Sequence, residues 1–110
     1  MALVTLEEAK SSLKVETADE DAMIGVLLAT AEIISSDVAR LTDEEWEIVN
    51  SDVEETDTYT AEELTHIRSL MKVAILYAVG HMFEFRDEAD YHGMTLTLRS
   101  ILFSIREGKV

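Results

Sequence analysis

The chain has 110 residues, 47% of them apolar, with a formal net charge of −14, no cysteine and no proline. That length gives room for one domain around one core, and the apolar content excludes disorder by composition. The missing cysteine excludes a disulfide framework and a thiol nucleophile, and the acidity argues against a grip on nucleic acid, which comes from Lys and Arg releasing counterions.

Sandwiches and barrels need turn residues every 8 to 12 positions or so. With four glycines and no proline, the composition predicts few, long helices instead. The opening MALVTLEEAK carries acids where a secretory leader is basic, so it is not expected to act as one. The longest uncharged stretch, between Lys72 and Glu84, falls short of the ~20 residues of a membrane span. The sequence therefore reads as a soluble chain. Its charge is uneven: residues 40–63 hold a net −9, while residues 64–110 sum to +1.

Four capping-box signatures, Thr5-x-x-Glu8, Thr17-x-x-Glu20, Thr42-x-x-Glu45 and Thr60-x-x-Glu63, predict four helix starts. In such a box the Thr hydroxyl accepts from the third helical N–H, and the Glu accepts from the N–H of the Thr. Leu41 with Trp46 and Tyr59 with Leu64 stand at the positions of the accompanying hydrophobic staple. The first helix is expected over about 6–13, with Leu6, Ala9 and Leu13 on one face. The second runs from about Ala18 to Arg40, with Ile24, Leu27, Leu28, Ala31, Ile34 and Val38 at amphipathic spacing. Residues 43–50 read as a brief acidic helix anchored by Trp46, and Ser51 to Tyr59 as a solvated loop. The long helix spans roughly 61–89, about 40 Å at ~1.5 Å per residue. Leu64, Ile67, Met71, Ala74, Ala78, Met82 and Phe85 form its main stripe, while Leu70, Val73, Leu76, Tyr77 and Phe83 cover other faces. A helix apolar nearly all round is central to a bundle or shared with a partner. Gly93 is expected to turn the chain into a last helix over about 94–106, with Leu98, Ile101, Leu102 and Ile105 on one stripe and a frayed end after it. The fold class is therefore all-α: one small bundle of about four to five helices with one long central helix, residues 1–110 forming a single domain with an acidic loop region at about 43–59.

Chemistry-bearing patterns are sparse. Glu63-x-x-His66 has the spacing of half a di-iron carboxylate site, but no second copy follows, and His81-x-x-Glu84 runs in reverse order. A solvated His66 and a packed or partner-facing His81 are the simpler reading. Glu44-x-x-Glu47 is similar to a magnesium-holding carboxylate pair, yet one brief segment cannot supply facing helices, so a charged face is expected. With no phosphate loop, activated serine or zinc spacing, no catalytic residue, metal or cofactor is assigned and the chain is not read as an enzyme. The segment His81 to Glu88, HMFEFRDE, is the least ordinary. Phe83 and Phe85 lie about 200° apart on a helix, so either both are buried or one is offered to a neighbour. Arg86, set among acids, suits a local ion pair or a bidentate contact between subunits.

The order of segments resembles the small head–tail connector (adaptor) family of tailed phages, also labelled DNA-packaging proteins. That family opens on a short "sleeaK..L.v" helix followed by an acidic "deD..l..li..A...i" helix. Here Leu6, Glu8, Ala9, Lys10, Leu13, Asp19, Asp21, Ile24, Leu27, Leu28 and Ala31 fall in register. His81, Phe83 and Arg86 are similar to the family's His–aromatic–Arg run, and Leu98, Ile101, Leu102 and Arg106 to its closing "L..LL...R". The chain departs at Met82 and Phe83, where the family often has Trp or Tyr, and in a longer, more charged acidic stretch over 43–57. The resemblance, which covers nearly the whole chain, implies a structural virion protein at the head–tail junction, present in the host cytoplasm during assembly. It implies a homo-oligomeric ring beneath the portal protein, dodecameric on the virion, that docks tail completion or stopper proteins and passes DNA without sequence-specific binding. Tyr77, Phe83, Phe85, Arg86, Arg99 and Arg106 are then the expected subunit or portal contacts. Glu44, Glu47, Asp52, Glu54 and Glu55 are the expected channel-facing acids. The alternative is an acidic regulatory protein that mimics DNA toward a DNA-binding partner. The −9 segment favours it, and the nearly neutral C-terminal half does not.

Overall fold

The computed structural model describes residues 2–85 and 91–108 and is all-helical over them, with no strand. Six helices follow in order: α1 (Leu6–Leu13), α2 (Asp21–Val38), α3 (Asp43–Val49), α4 (Ala61–Glu84), α5 (Tyr91–Ile101) and α6 (Phe103–Arg106). Three of them start as the sequence predicts. At α1, α3 and α4 the Thr5, Thr42 and Thr60 hydroxyls each accept from the N–H of the Glu three residues on, at 3.1 Å. Those Glu side chains accept from the Thr N–H in return. Each box satisfies two backbone donors that a helix start leaves open.

The fourth box does not form. Helix α2 begins at Asp21 rather than near Ala18, and its N-cap, Glu20, makes no side-chain cap bond. An ion pair stands there instead: Lys10 Nζ of α1 lies 2.8 Å from Asp21 Oδ1, and Lys10 is 9% exposed. This contact ties the first turn of α2 to α1, and the intervening Thr17 to Glu20 form a bend and turn. Both α1 and α2 end on a non-glycine residue in the left-handed region, Lys14 and Arg40, each at φ 60°. In each case paired bonds close the end, Val15 N–H to Lys10 O with Lys14 N–H to Ser11 O, and Leu41 N–H to Ser36 O with Arg40 N–H to Asp37 O. That is the bond pattern of a Schellman turn.

Helix α4 is the axis of the bundle, packed by α1, α2, α3 and α5. Its rise of about 36 Å accounts for most of the 42 Å long dimension. In its first half only Leu64, Ile67 and Met71 are buried, one side of an amphipathic helix. From Ala74 on, Ala74, Ile75, Ala78, Val79 and Met82 are all buried, and Leu76, Tyr77, Gly80, His81 and Phe83 on the remaining face are half-buried. The expected extension of this helix to Ala89 falls partly on residues 86–90, outside the described ones. The last helix differs from expectation. It begins at Tyr91 and takes Gly93 into its first turn, so Gly93 is not the turn residue. Burial of Met94 and Leu98 outweighs the roughly 1 kcal/mol that a helical glycine costs. A break at the fully buried Leu102 separates α5 from α6, although Leu102 N–H to Leu98 O and Arg106 N–H to Leu102 O carry the bonding across it.

Candidate functional site

The acidic segment is built on α3 and the connection to α4. Glu44, Glu47, Asp52, Glu54 and Glu55 are all exposed. They radiate outward, and among the described residues no group of three or more His, Asp or Glu stands close enough to hold a metal ion. The backbone beneath them is the solvated loop of the sequence reading, mostly exposed from Asp52 to Thr58, and three groups pin it. Arg68, two turns into α4, donates from Nε to Val49 O at 2.9 Å and from Nη2 to Ile48 O at 3.0 Å and Val53 O at 2.7 Å. The guanidinium thus fills Val49 O, which the end of α3 leaves open, joins the Ser51 hydroxyl on Ile48 O and places a cation at the negative pole of that helix. Its planar fork reaches three acceptors at once, which a lysine cannot.

The second pin is Tyr59. Its hydroxyl donates to Glu45 Oε2 at 2.5 Å, while Glu45 Oε1 accepts from Thr42 N–H at 2.9 Å. One carboxylate therefore caps α3 and holds the far end of the loop. The Tyr59 hydrogen bond, followed by the Thr42 N–H, keeps the Glu45 carboxyl below its usual range. Burial, then the same carboxylate, pushes the Tyr59 phenol up. The third pin is Asn50, whose Oδ1 accepts from Leu3 N–H at 2.6 Å. Sequence reasoning missed Arg68, Asn50 and the second role of Glu45. The available signal was an acidic segment with no cation between Arg40 and Arg68.

The expected contact residues divide. Tyr77, His81 and Phe85 stack along one side of α4, with ring centroids 6.0 Å apart for Tyr77–His81 and 5.1 Å for His81–Phe85. Phe85, at 43% of full exposure, is the outer end of this ladder. Phe83 points elsewhere and packs half-buried against the core, beside Ser12 and Leu13 of α1. Of the two phenylalanines, Phe85 is the more exposed. Arg86 lies outside the described residues. Arg99 is exposed on α5. Arg106 has a partner within the chain: its Nη1 donates to Val38 O at 2.8 Å, tying α6 to the end of α2. Desolvation, then the charges of Arg40 and Arg99, lower its pKa, so three arginines gather at this end of α2. His66 is exposed, its Nε2 3.3 Å from Ser104 Oγ. His81 is half-buried between its two aromatic neighbours.

Comparison with protein-family models, with curated proteins and with solved structures finds no match.

Proposed function

We propose that the chain is a structural assembly subunit, one copy of a head–tail connector ring of a tailed phage, set beneath the portal and docking tail completion or stopper proteins. The observation that supports this reading best is the acidic segment, a dense carboxylate surface on a backbone pinned by Arg68, Tyr59 and Asn50. A fixed, outward-facing layer of negative charge repels phosphate and offers none of the cations that bind it. It suits the wall of a channel through which DNA slides without sticking. The ladder ending in Phe85 and the exposed Arg99 supply the aromatic and Arg character that protein interfaces favour. The proposal includes no catalytic step; the site of action is the virion, with assembly in the host cytoplasm.

Native mass spectrometry over a range of protein and salt concentration, with and without portal protein, tests it. A closed ring of many copies is expected, at least on the portal. Failure to assemble alone and failure to bind portal would together sink it. A further check replaces Glu44, Glu47, Asp52, Glu54 and Glu55 by Lys. The connector reading expects slowed DNA packaging or ejection, and unchanged transit would remove these acids from the channel wall. The same pinned carboxylates also favour a second reading, a DNA mimic, because a mimic needs charge held at fixed spacing. A pull-down that returns a DNA-binding protein instead of portal or tail components decides for the mimic.

A further inference from the structure

Four helices contribute to one small cleft: the exit of α2, α3, the start of α4 and α6. It holds about 250 Å³, and Arg40, Glu45, Tyr59, Glu63, Ile67 and Ile105 are among the residues that line it. Typical ligand pockets hold ~300–1,000 Å³, so an occupant of this one is a small metabolite. Ile67 and Ile105, 1% and 7% exposed, give the cleft an apolar floor.

Its charged groups are of both signs and are not spent on each other. Glu63 accepts from Thr60 N–H with Oε1 at 2.9 Å, and its Oε2 has no partner among the described residues. Glu45 lies close to it: its Oε2 holds the Tyr59 hydroxyl, and the charge of Glu63 reaches the same phenol. Arg40 lines the cleft as well. Its backbone is fixed at φ 60° by the paired bonds that end α2, so its side chain starts from a set position. The guanidinium takes part in neither of the ion pairs formed between described residues, Lys10–Asp21 and Glu8–Lys72. This holds although Asp37, Asp43 and Glu44 are exposed close by in the chain. Arg40 and Glu63 thus share one cleft beyond ion-pair reach of each other. A group that carries both charges can pair with both. A carboxylate suits the planar fork of Arg40. An ammonium, with three donors and no acceptor, suits the open oxygen of Glu63.

We propose that this cleft binds a small zwitterion of the apolar amino-acid class. The ligand carboxylate pairs with Arg40, its ammonium with Glu63, and its side chain lies over Ile67 and Ile105. The bound molecule ties the exit of α2 to the start of α4, at the base of the acidic segment. Neither the connector reading nor the mimic reading requires such a site, so its test leaves both untouched.

L-leucine is the probe, titrated into the isotope-labelled full chain and followed by amide NMR shifts. Saturable shifts are expected at Arg40, Leu41, Glu63 and Ile105. Isopentylamine lacks the carboxylate and isocaproate lacks the ammonium; each should bind at least about tenfold more weakly than leucine. Two variants separate the poles. Glu63→Gln keeps the capping box, where Gln serves in place of Glu, and should weaken leucine and isopentylamine but not isocaproate. Arg40→Gln should weaken leucine and isocaproate but not isopentylamine. A merely structural role for either residue would change all three ligands alike. The absence of saturable shifts with tens of millimolar leucine overturns the proposal. So does isopentylamine or isocaproate binding as well as leucine, or a variant that affects all three equally.

Discussion

The packed half of α4 and the acidic segment are held together in opposite ways. Around Met71, Ala74, Ile75, Ala78 and Val79, each 1% exposed or less, the structure rests on apolar burial, which is non-directional and shared over many contacts. The segment from Thr42 to Thr60 buries Val49 and Tyr59, and its shape rests on a few directional bonds from Arg68, Tyr59 and Asn50. The first arrangement fails by losing volume and the second by losing one atom. That difference also separates the parts suited to scaffolding from the part suited to presenting charge.

The largest effect belongs to the core. Met71→Ala should destabilise the chain by about 2–5 kcal/mol, seen as a lower urea midpoint with the slope unchanged. Met71→Leu keeps the volume and should cost less than about 1.5 kcal/mol. A Met71→Ala effect under 1 kcal/mol would mean that this helix is less tightly surrounded than its burial implies.

Arg68→Ala comes next. It leaves three carbonyls without their charged donor, and hydrogen bonds to charged groups contribute about 1.5–3 kcal/mol. The loss should be local: a glutamate-specific protease should cut near Glu54 and Glu55 much faster, while the rest of the chain resists. Arg68→Lys should restore only part of the protection, because one ammonium replaces a planar fork. Equal protection in the Lys variant would show that charge alone holds the segment.

Tyr59→Phe removes one hydroxyl and should cost about 1 kcal/mol near neutral pH. Its pH dependence follows from both partners. The Glu45 carboxyl is lowered in the folded state, first by the Tyr59 bond, so its contribution is present above the unfolded value of about 4.3 and is lost as pH falls through the folded value. The Tyr59 phenol is raised, first by burial and then by Glu45. Its contribution is full below about pH 10 and is lost as pH rises beyond that. The stability gap between native chain and variant should thus be widest in the neutral range and narrow on both sides. A gap that is flat with pH would mean that the hydroxyl does not bond the ionised carboxylate.

How much of this the sequence disclosed follows the same division. Periodicity and capping chemistry are local, so Thr5, Thr42 and Thr60 announce their helices, and the apolar positions of α4 announce a surrounded helix. Thr17 has the same signature as the other three, but the Lys10–Asp21 pair brings two helices together there and moves the start of α2. Gly93 reads as a turn until the burial of Met94 and Leu98 is known. The pins of the acidic segment lie furthest from view. Arg68 reaches carbonyls up to twenty positions away, and Leu3 meets Asn50 across nearly half the chain. A backbone carbonyl leaves no mark in the sequence, so nothing at residues 48, 49 or 53 advertises what binds there.

The smallest effect has the opposite sign and is the sharpest test of the contrast. Ser35 of α2 is 0% exposed, and its Oγ is buried with no hydrogen-bond partner among the described residues. A hydroxyl removed from water without a new bond costs about 1–3 kcal/mol by protein mutational data. Ser35→Ala discards it, leaves a void of one oxygen atom and raises helix propensity slightly. The variant should therefore gain about 0.5–1 kcal/mol, less than the full desolvation cost because packing contacts of the oxygen are lost as well. Removing a hydroxyl would then stabilise the region held by burial and, in Tyr59→Phe, weaken the region held by directional bonds. If both variants lose stability alike, the Ser35 hydroxyl has a partner in solution and the two regions differ less than their contacts imply.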